Sequence, residues 1–510
     1  MKSERKKSSF KNMITAVSSN ILTIIVGLVA QAIFIKILGS EYLGLNGLFS
    51  NVISMLGIVE LGMGSAIIYN MYKPIAEEDH EKIKSLMQFY KKSYRIITLI
   101  ISIIGIMIIP FIKYIVDIES VTVGINVYLV YILFLLETIC SYILSYKRSM
   151  LYADQKEYIT NIIHMGYTIL VNTMQLTFLY FTHDYYLYLI IKVMMRLVEN
   201  IVISSYVNRR YSYLLDNNVT KLDSKTEKDI FQKIKALFFH KIGTFIVSGT
   251  DNIIISKYLG LVTVGLYSNY YMIINAVQTV INHIIQATRA SVGNLLVTES
   301  KTKQFDIFNK IRFVNFWISC FSSICIFVIM DSFITIWIGY KFVLPTKVLL
   351  VLVINFFIVS SRSTYGAFKE AAGIFYEDRF VPIIESLLNI VLSIIFVKKF
   401  GLMGVFMGTI ASGLVLWCYS YPKYVYNKLF GRKISDYIKE TIYYFIIFIL
   451  IAGFTYSLAI LISFDNVYLQ FISNVLIALI VPNVIMLLLF SKDENFKYFI
   501  NMLKGLKKRK

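Results

Sequence analysis

The stretch KYLGLVTVGLY, residues 257–267, repeats the skeleton of KILGSEYLGLN, residues 36–46. Lys36, Leu38, Gly39, Gly44 and Leu45 align with Lys257, Leu259, Gly260, Gly265 and Leu266 at a constant offset of 221 positions. Each copy lies between two long apolar runs. Glycine there permits a tight turn and a close approach of two helices, so each copy reads as a hairpin between consecutive helices. A weaker third copy, KKFGLMGVF, occupies residues 398–406.

The runs around these hairpins decide the class. Of 510 residues 57% are hydrophobic and only 16% charged, and the mean hydropathy is +0.66, which excludes an ordinary soluble chain. A helix needs about 20 apolar residues to cross a bilayer. Such stretches recur at about 13–37, 44–71, 93–115, 121–146, 159–181, 185–207, 237–259, 265–297, 313–338, 344–366, 380–399, 402–425, 439–463 and 467–490, an all-α integral membrane chain of about 14 transmembrane helices. The run after MKSERKKSSFKN has no small-residue cleavage site and reads as an uncleaved first span. The four cysteines all lie inside apolar runs and read as small core residues.

Charge placement orients the spans. The N-terminus, the loops after even-numbered spans and the tail KGLKKRK hold most of the 51 Lys and Arg. The opposite loops hold only Lys36, Lys113, Lys257, Lys341, Lys347, Lys398 and Lys399. By the positive-inside rule both termini are expected in the cytoplasm, which requires an even number of spans. The net charge of +20 is therefore read as topology at a cell membrane and not as a nucleic-acid surface. No loop is long enough to hold a soluble catalytic domain.

With this topology the first two hairpins both lie outside, six spans apart and in the same orientation. That pattern describes a parallel repeat about an axis along the membrane normal. The expected organisation is an N-terminal lobe at 1–210 (spans 1–6), a cytoplasmic linker at 211–235, a C-terminal lobe at 236–430 (spans 7–12), two further helices at 431–490 and a basic tail at 491–510. Paired six-helix lobes with a site near the midplane are the architecture of alternating-access transporters.

Three segments carry a family likeness: SSNILTIIVGLVAQAIFIKILGSEYLGLNGLFSNVISMLGIVELGMGSAI near the start, GTDNIIISKYLGLVTVGLYSNYYMI in the middle and FKEAAGIFYEDRFVPIIES after span 10. Together they resemble the oligosaccharide-unit (Wzx-type) polysaccharide flippases of the MOP superfamily. The resemblance implies a V-shaped transporter of fourteen helices. It also implies a substrate, undecaprenyl-pyrophosphate-linked oligosaccharide, turned from the cytoplasmic to the outer leaflet for surface or capsular polysaccharide. Its implied partners are that lipid-linked oligosaccharide, membrane lipid and the polymerase machinery. No covalent chemistry, cofactor or metal is called for.

Ionisable groups inside spans cost about 2.5–3.5 kcal/mol each on insertion scales, so each one marks a candidate site. In span 6, Lys192, Arg196 and Glu199 share one helix face; Arg196 and Glu199 have the spacing of an ion pair and Lys192 is a surplus cation. In span 8, Asn275, Gln278, Asn282, Gln286 and Arg289 form one stripe, with His283 beside it, suited to a watery cavity or a helix contact. Arg289, Arg362 and Lys241 lie toward cytoplasmic ends, where snorkelling to headgroups is the alternative reading. Lys192, Arg196, Arg289, Arg362 and Lys241 are thus the candidate pyrophosphate ligands, Arg being suited to bidentate contact. Asn275, Gln278, Asn282 and Gln286 are candidate cavity residues. Glu60, Glu137 and Asp251 are candidates for ion coupling, with packing roles as the alternative. Two other functions remain open: a MATE-like exporter of cationic drugs, which would want an acidic cavity, and a membrane enzyme such as a polymerase, which would want a large outer loop or an acidic metal motif.

Overall fold

The computed structural model describes residues 2–60, 63–116, 124–216, 219–374 and 377–507, with the side chains of 2–10, 235–248, 502–507 and a few single positions outside the description. The described chain is helical, with no strand. Its helices are α1 (Lys2–Leu38), α2 (Ser40–Leu56), α3 (Met63–Ala76), α4 (His80–Ile108), α5 (Ile112–Ile115), α6 (Val127–Tyr142), α7 (Arg148–Ala153), α8 (Glu157–Thr182) and α9 (Tyr185–Arg210). They continue as α10 (Ser224–Leu259), α11 (Leu261–Thr298), α12 (Lys301–Trp337), α13 (Thr346–Ala371), α14 (Val381–Phe400), α15 (Leu402–Val415), α16 (Ile434–Leu461), α17 (Val467–Phe490) and α18 (Glu494–Lys507).

Side-chain caps fix many of the starts. Asp79, Asn126, Asp184, Asp223 and Asn466 each accept a hydrogen bond from a backbone N–H in the first turn of α4, α6, α9, α10 and α17, satisfying donors that a helix start leaves free. At the end of α8, His183 takes the left-handed conformation, φ 53°.

Eleven helical stretches among the described residues are long and apolar enough to cross a membrane. The other three expected spans, 185–207, 237–259 and 265–297, form α9, α10 and α11. These have the length but are less apolar: α9 carries Lys192, Arg196 and Glu199, the first half of α10 is charged, and α11 carries the polar stripe. These three helices bear Lys192, Arg196, Lys241, Asp251, Arg289 and the polar stripe, whereas Glu60, Glu137 and Arg362 lie on other elements.

The chain folds as two compact units, Met1–Gly265 and Leu266–Lys510. In the first, α1 packs on α8, α6 and α8 pack on α9, and α10 packs on α2 and α3. The segment after α9 is strapped to the start of α4: Lys84 Nζ lies 3.0 Å from Asp216, the Ser85 hydroxyl donates to the Thr220 carbonyl at 2.7 Å, and Lys82 pairs with Asp223. In the second, α14 and α15 form a tight hairpin and α12 packs on α13, α16 and α17. Its core is aromatic, with Phe308, Tyr365, Phe368, Tyr426 and Phe430 buried together. Nearby, Phe357 and Phe448 stack at 4.0 Å.

The repeated hairpins meet each other. Gly39 and Gly260 adopt the same extended conformation at positive φ, (93°, −179°) and (83°, 167°), which is open almost only to glycine. A Cβ on Gly44 would lie 2.0 Å from the Leu261 carbonyl oxygen, and one on Gly265 would lie 2.1 Å from that of Ser40. The offset of 221 exchanges these two contacts, so the pair is self-complementary in the manner of a two-fold interface. Further along, the offset carries the Asn46–Tyr185 hydrogen bond (2.9 Å) of the first unit onto the Tyr267–Phe406 ring contact (4.8 Å) of the second. The third copy turns on itself, its Gly404 lying against the Phe396 backbone of the same hairpin.

Candidate functional site

Two of the expected spans are interrupted beside one cavity. After α2 the chain tightens into a short 3₁₀ turn at Gly57–Glu60. After α6 it breaks at Ile143 and Leu144, the latter at φ 68°, and passes through a 3₁₀ turn, Ser145–Lys147, into α7. Non-helical backbone at membrane depth is tolerated only where it is covered by protein or lines a polar cavity. Both conditions hold here. The Asn200 amide donates to the carbonyls of Cys140, Ser141 and Ile143 at 2.8, 3.1 and 3.0 Å, taking up acceptors that the break releases. Both breaks line one cavity of about 460 Å³, whose wall includes Glu60, Gly64, Tyr94, Ser145, Arg148 and Arg196.

An ion network sits beside it. Arg196 donates from Nε to Glu137 at 2.8 Å and from Nη1 to Glu199 at 2.7 Å. Glu199 also receives Arg148 Nη2 at 3.2 Å and lies 3.0 Å from His164 Nδ1. The Arg148 guanidinium reaches Asn200 as well, at 2.9 Å. Across the cavity the Tyr94 hydroxyl donates to Glu60; Tyr90 donates to Tyr94 at 3.3 Å and Ser149 donates to Tyr90 at 3.0 Å. Lys192 belongs to an adjoining cavity of about 230 Å³ lined by Glu137, Ser50, Ser54, Thr138 and Ser141. Its ammonium lies 4.7 Å from the Phe134 ring centroid, a cation–π contact, and has no carboxylate within 4 Å among the described residues.

The structure thus brings Lys192, Arg196, Glu60 and Glu137 around two adjoining cavities of the first unit. Glu137 serves as a ligand of Arg196, and the surplus charge of the α9 face is offset by acids from other helices. Arg289 and Arg362 lie in the second unit, on Glu370 at 2.8 Å and Glu385 at 3.2 Å respectively. On the α11 stripe, Gln278 donates to Asn282 at 3.1 Å and accepts from Ser360 at 2.8 Å, while Asn275 and Gln286 are exposed. Asp251 is half-buried on α10. The side chain of Lys241 lies outside the described residues. Of the cysteines, Cys140 and Cys320 are buried, Cys325 is half-buried and Cys418 is exposed, all four free. The sequence reading missed Arg148, placed there in a cytoplasmic loop because the KR pair closes an apolar run. Only the helix break turns it inward. No group of three or more His, Cys, Asp or Glu arranged to hold a metal occurs among the described residues.

A comparison with curated proteins finds no match. Among solved structures, the lipid II flippase MurJ in an inward closed conformation is similar at a TM-score of 0.66, with 15% identity over 94% of this chain and 99% of that one. A multidrug resistance MATE family transporter of the MOP superfamily, inward-facing, is similar at 0.61, with 15% identity over 79% and 94%. A MATE transporter of Vibrio cholerae is similar at 0.56, with 12% identity over 82% and 97%. These likenesses establish the fold. The model of the polysaccharide biosynthesis protein family matches residues 9–289, more than half of the chain, including both broken helices and the whole ion network. The chain therefore belongs to the polysaccharide biosynthesis protein family and has the fold of the MOP superfamily transporters.

Proposed function

We propose that this protein is a flippase that carries undecaprenyl-pyrophosphate-linked oligosaccharide from the inner to the outer leaflet of the cell membrane by alternating access, supplying surface or capsular polysaccharide synthesis. The observation that carries the reading is a charged cavity built from two interrupted helices inside a chain of this family. In such a transporter no bond is made or broken. Lys192 and Arg196 would meet the pyrophosphate, the polar faces of α9 and α11 would line the path of the sugars, and the polyprenyl chain would stay in lipid. Arg289, Arg362 and Lys241 are proposed as further cationic contacts along that path. Glu60, Glu137 and Asp251 are the candidates for a coupling ion; Glu60 stands out because its described partner is a neutral tyrosine and not a cation. A polysaccharide polymerase that consumes the delivered unit is the natural downstream partner.

Removing the protein should make lipid-linked oligosaccharide accumulate on the cytoplasmic leaflet and should stop polymer export. Normal polymer with no accumulated intermediate would overturn the assignment. Two acids in the cavity wall region, Glu60 and Glu137, favour a second reading as a MATE-like exporter of cations. In that case the deletion strain would show altered drug susceptibility and unchanged polymer.

A further inference from the structure

The second unit holds a cavity that the proposed transport path does not use. It has a volume of about 270 Å³ and lies among α12, α13, α15 with its continuation, and α16. Most of its wall is aromatic or aliphatic, with Phe316, Phe357, Tyr365 and Tyr444 among the rings. Leu414, Ile442 and Phe445 form part of the same wall and are exposed apolar residues, so the cavity opens onto an apolar face of the unit. Four lining residues carry buried hydrogen-bonding atoms that have no partner among the described residues: Arg312 Nε, Ser361 Oγ, Trp417 Nε1 and Thr441 Oγ1. Arg312 is only 7% exposed, and its Nη1 is already committed to Glu440 and the Tyr426 hydroxyl.

Buried donors without acceptors are costly, and native structures rarely leave several together in one cavity. Their chemistry describes the missing occupant. It must offer oxygen acceptors at one end and an apolar body at the other. Glu440 offsets the Arg312 charge, so the acceptors need not bring a full compensating charge of their own; ester carbonyl or phosphodiester oxygens suffice. Depth agrees with this. Arg312 and Trp337 at the far end of α12 are about 38 Å apart along the helix axis, more than the ~30 Å hydrocarbon core. With Trp337 at one interface, Arg312 falls in the ester and headgroup layer of the other.

We infer that this cavity is a binding site for a single glycerophospholipid of the surrounding membrane, its ester or phosphate oxygens on Arg312, Ser361 and Trp417 and the start of an acyl chain in the aromatic slot. The site is separate from the substrate cavity of the first unit, and the inference does not depend on which glycan is carried.

The test is native mass spectrometry of the purified full-length protein, delipidated and then titrated with phosphatidylglycerol, with glycerol phosphate and with an isoprenoid monophosphate. The expected result is one phospholipid retained per chain. Ser361→Ala with Trp417→Phe keeps an aromatic ring at 417 while removing two donors, and should weaken retention about tenfold. Ile410→Phe fills the slot and should abolish retention without lowering thermal stability. Equal retention by wild type and both variants would overturn the inference. So would glycerol phosphate binding as tightly as the lipid, or an isoprenoid phosphate displacing the phospholipid one for one, since the cavity would then hold a free anion or the transport substrate.

Discussion

Glu199 and Lys192 sit two turns apart on α9 and have opposite situations. The Glu199 side chain has no accessible surface and is held by two guanidiniums and an imidazole. Taking away one partner of a buried ion pair typically costs 3–5 kcal/mol, because the other charge is stranded. Glu199→Gln leaves Arg148 without its carboxylate, while Arg196 keeps Glu137, so a loss of about 3 kcal/mol is expected. It should appear as a fall of several degrees in the unfolding midpoint in detergent. Among the described residues Lys192 has no such ion-pair partner. Lys192→Gln should therefore shift the midpoint far less than Glu199→Gln while lowering polymer export about tenfold, because a phosphate contact is lost and only the cation–π contact with Phe134 goes with it. A loss of stability with Lys192→Gln as large as that with Glu199→Gln, or unchanged export, would place the anion elsewhere. The sequence disclosed one edge of this network, the Arg196–Glu199 pair three residues apart on one helix. It could not disclose Glu137 or Arg148, which reach Arg196 and Glu199 from other helices. Helical periodicity says which residues share a face and nothing about what that face meets.

The same limit operates on whole elements. Apolar runs marked where the helices lie, yet the breaks at Gly57–Glu60 and Ile143–Lys147 passed unread, because hydropathy is blind to a dihedral change such as that at Leu144. The Gly-rich hairpins were legible as a repeat, since the offset of 221 could be counted. That the two copies pack on each other was not, because contact depends on the path of the helices between them. That contact makes a sharp prediction. Gly44→Ala puts a methyl group onto the Leu261 backbone and Gly265→Ala puts one onto that of Ser40, and neither backbone can move aside as a flexible side chain would. Each should cost about 1–3 kcal/mol and lower both the unfolding midpoint and the protein level. Gly293→Ala, where an added Cβ meets nothing within 4 Å, should change the midpoint by less than about 1 °C. A second element-scale device is the strap onto α4. The Lys82 ammonium, helped by Thr226, holds the Asp223 carboxyl well below the usual carboxylate range. A lowered folded value stabilises above the unfolded pKa of about 3.9 and is lost only as pH falls through the folded one. Limited proteolysis within 211–223 should accordingly be unchanged between about pH 5.5 and 8. Asp223→Asn, which removes the charge, should speed it severalfold across that window.

At the scale of the molecule, the distribution of charge and the placement of helices make one argument. A chain with +20 net charge and eleven strongly apolar helical stretches among the described residues has little freedom in how it threads the bilayer. The three less apolar helices, α9, α10 and α11, are consecutive. They insert at a cost that flanking spans must offset, because charges such as Arg196 are expensive at the bilayer centre. If they cross as full spans, the segments joining α9 to α10 and α17 to α18 lie on the same side as the N-terminus. The turns at 39 and 260, and the α16–α17 turn at 462–466, then lie on the other side. If α9 failed to cross, every later loop would change sides, and the 211–223 strap would be separated by the membrane from the start of α4, to which Lys82, Lys84 and Ser85 bind it. Single cysteines introduced at positions 222 and 463 in a chain whose four native cysteines are replaced by Ala should separate the cases. A membrane-impermeant maleimide applied to intact cells should label position 463 and spare position 222, with both labelled after permeabilisation. Labelling of 222 in intact cells, or protection of 463, would overturn the fourteen-span topology with cytoplasmic termini and, with it, the direction of transport proposed for the cavity.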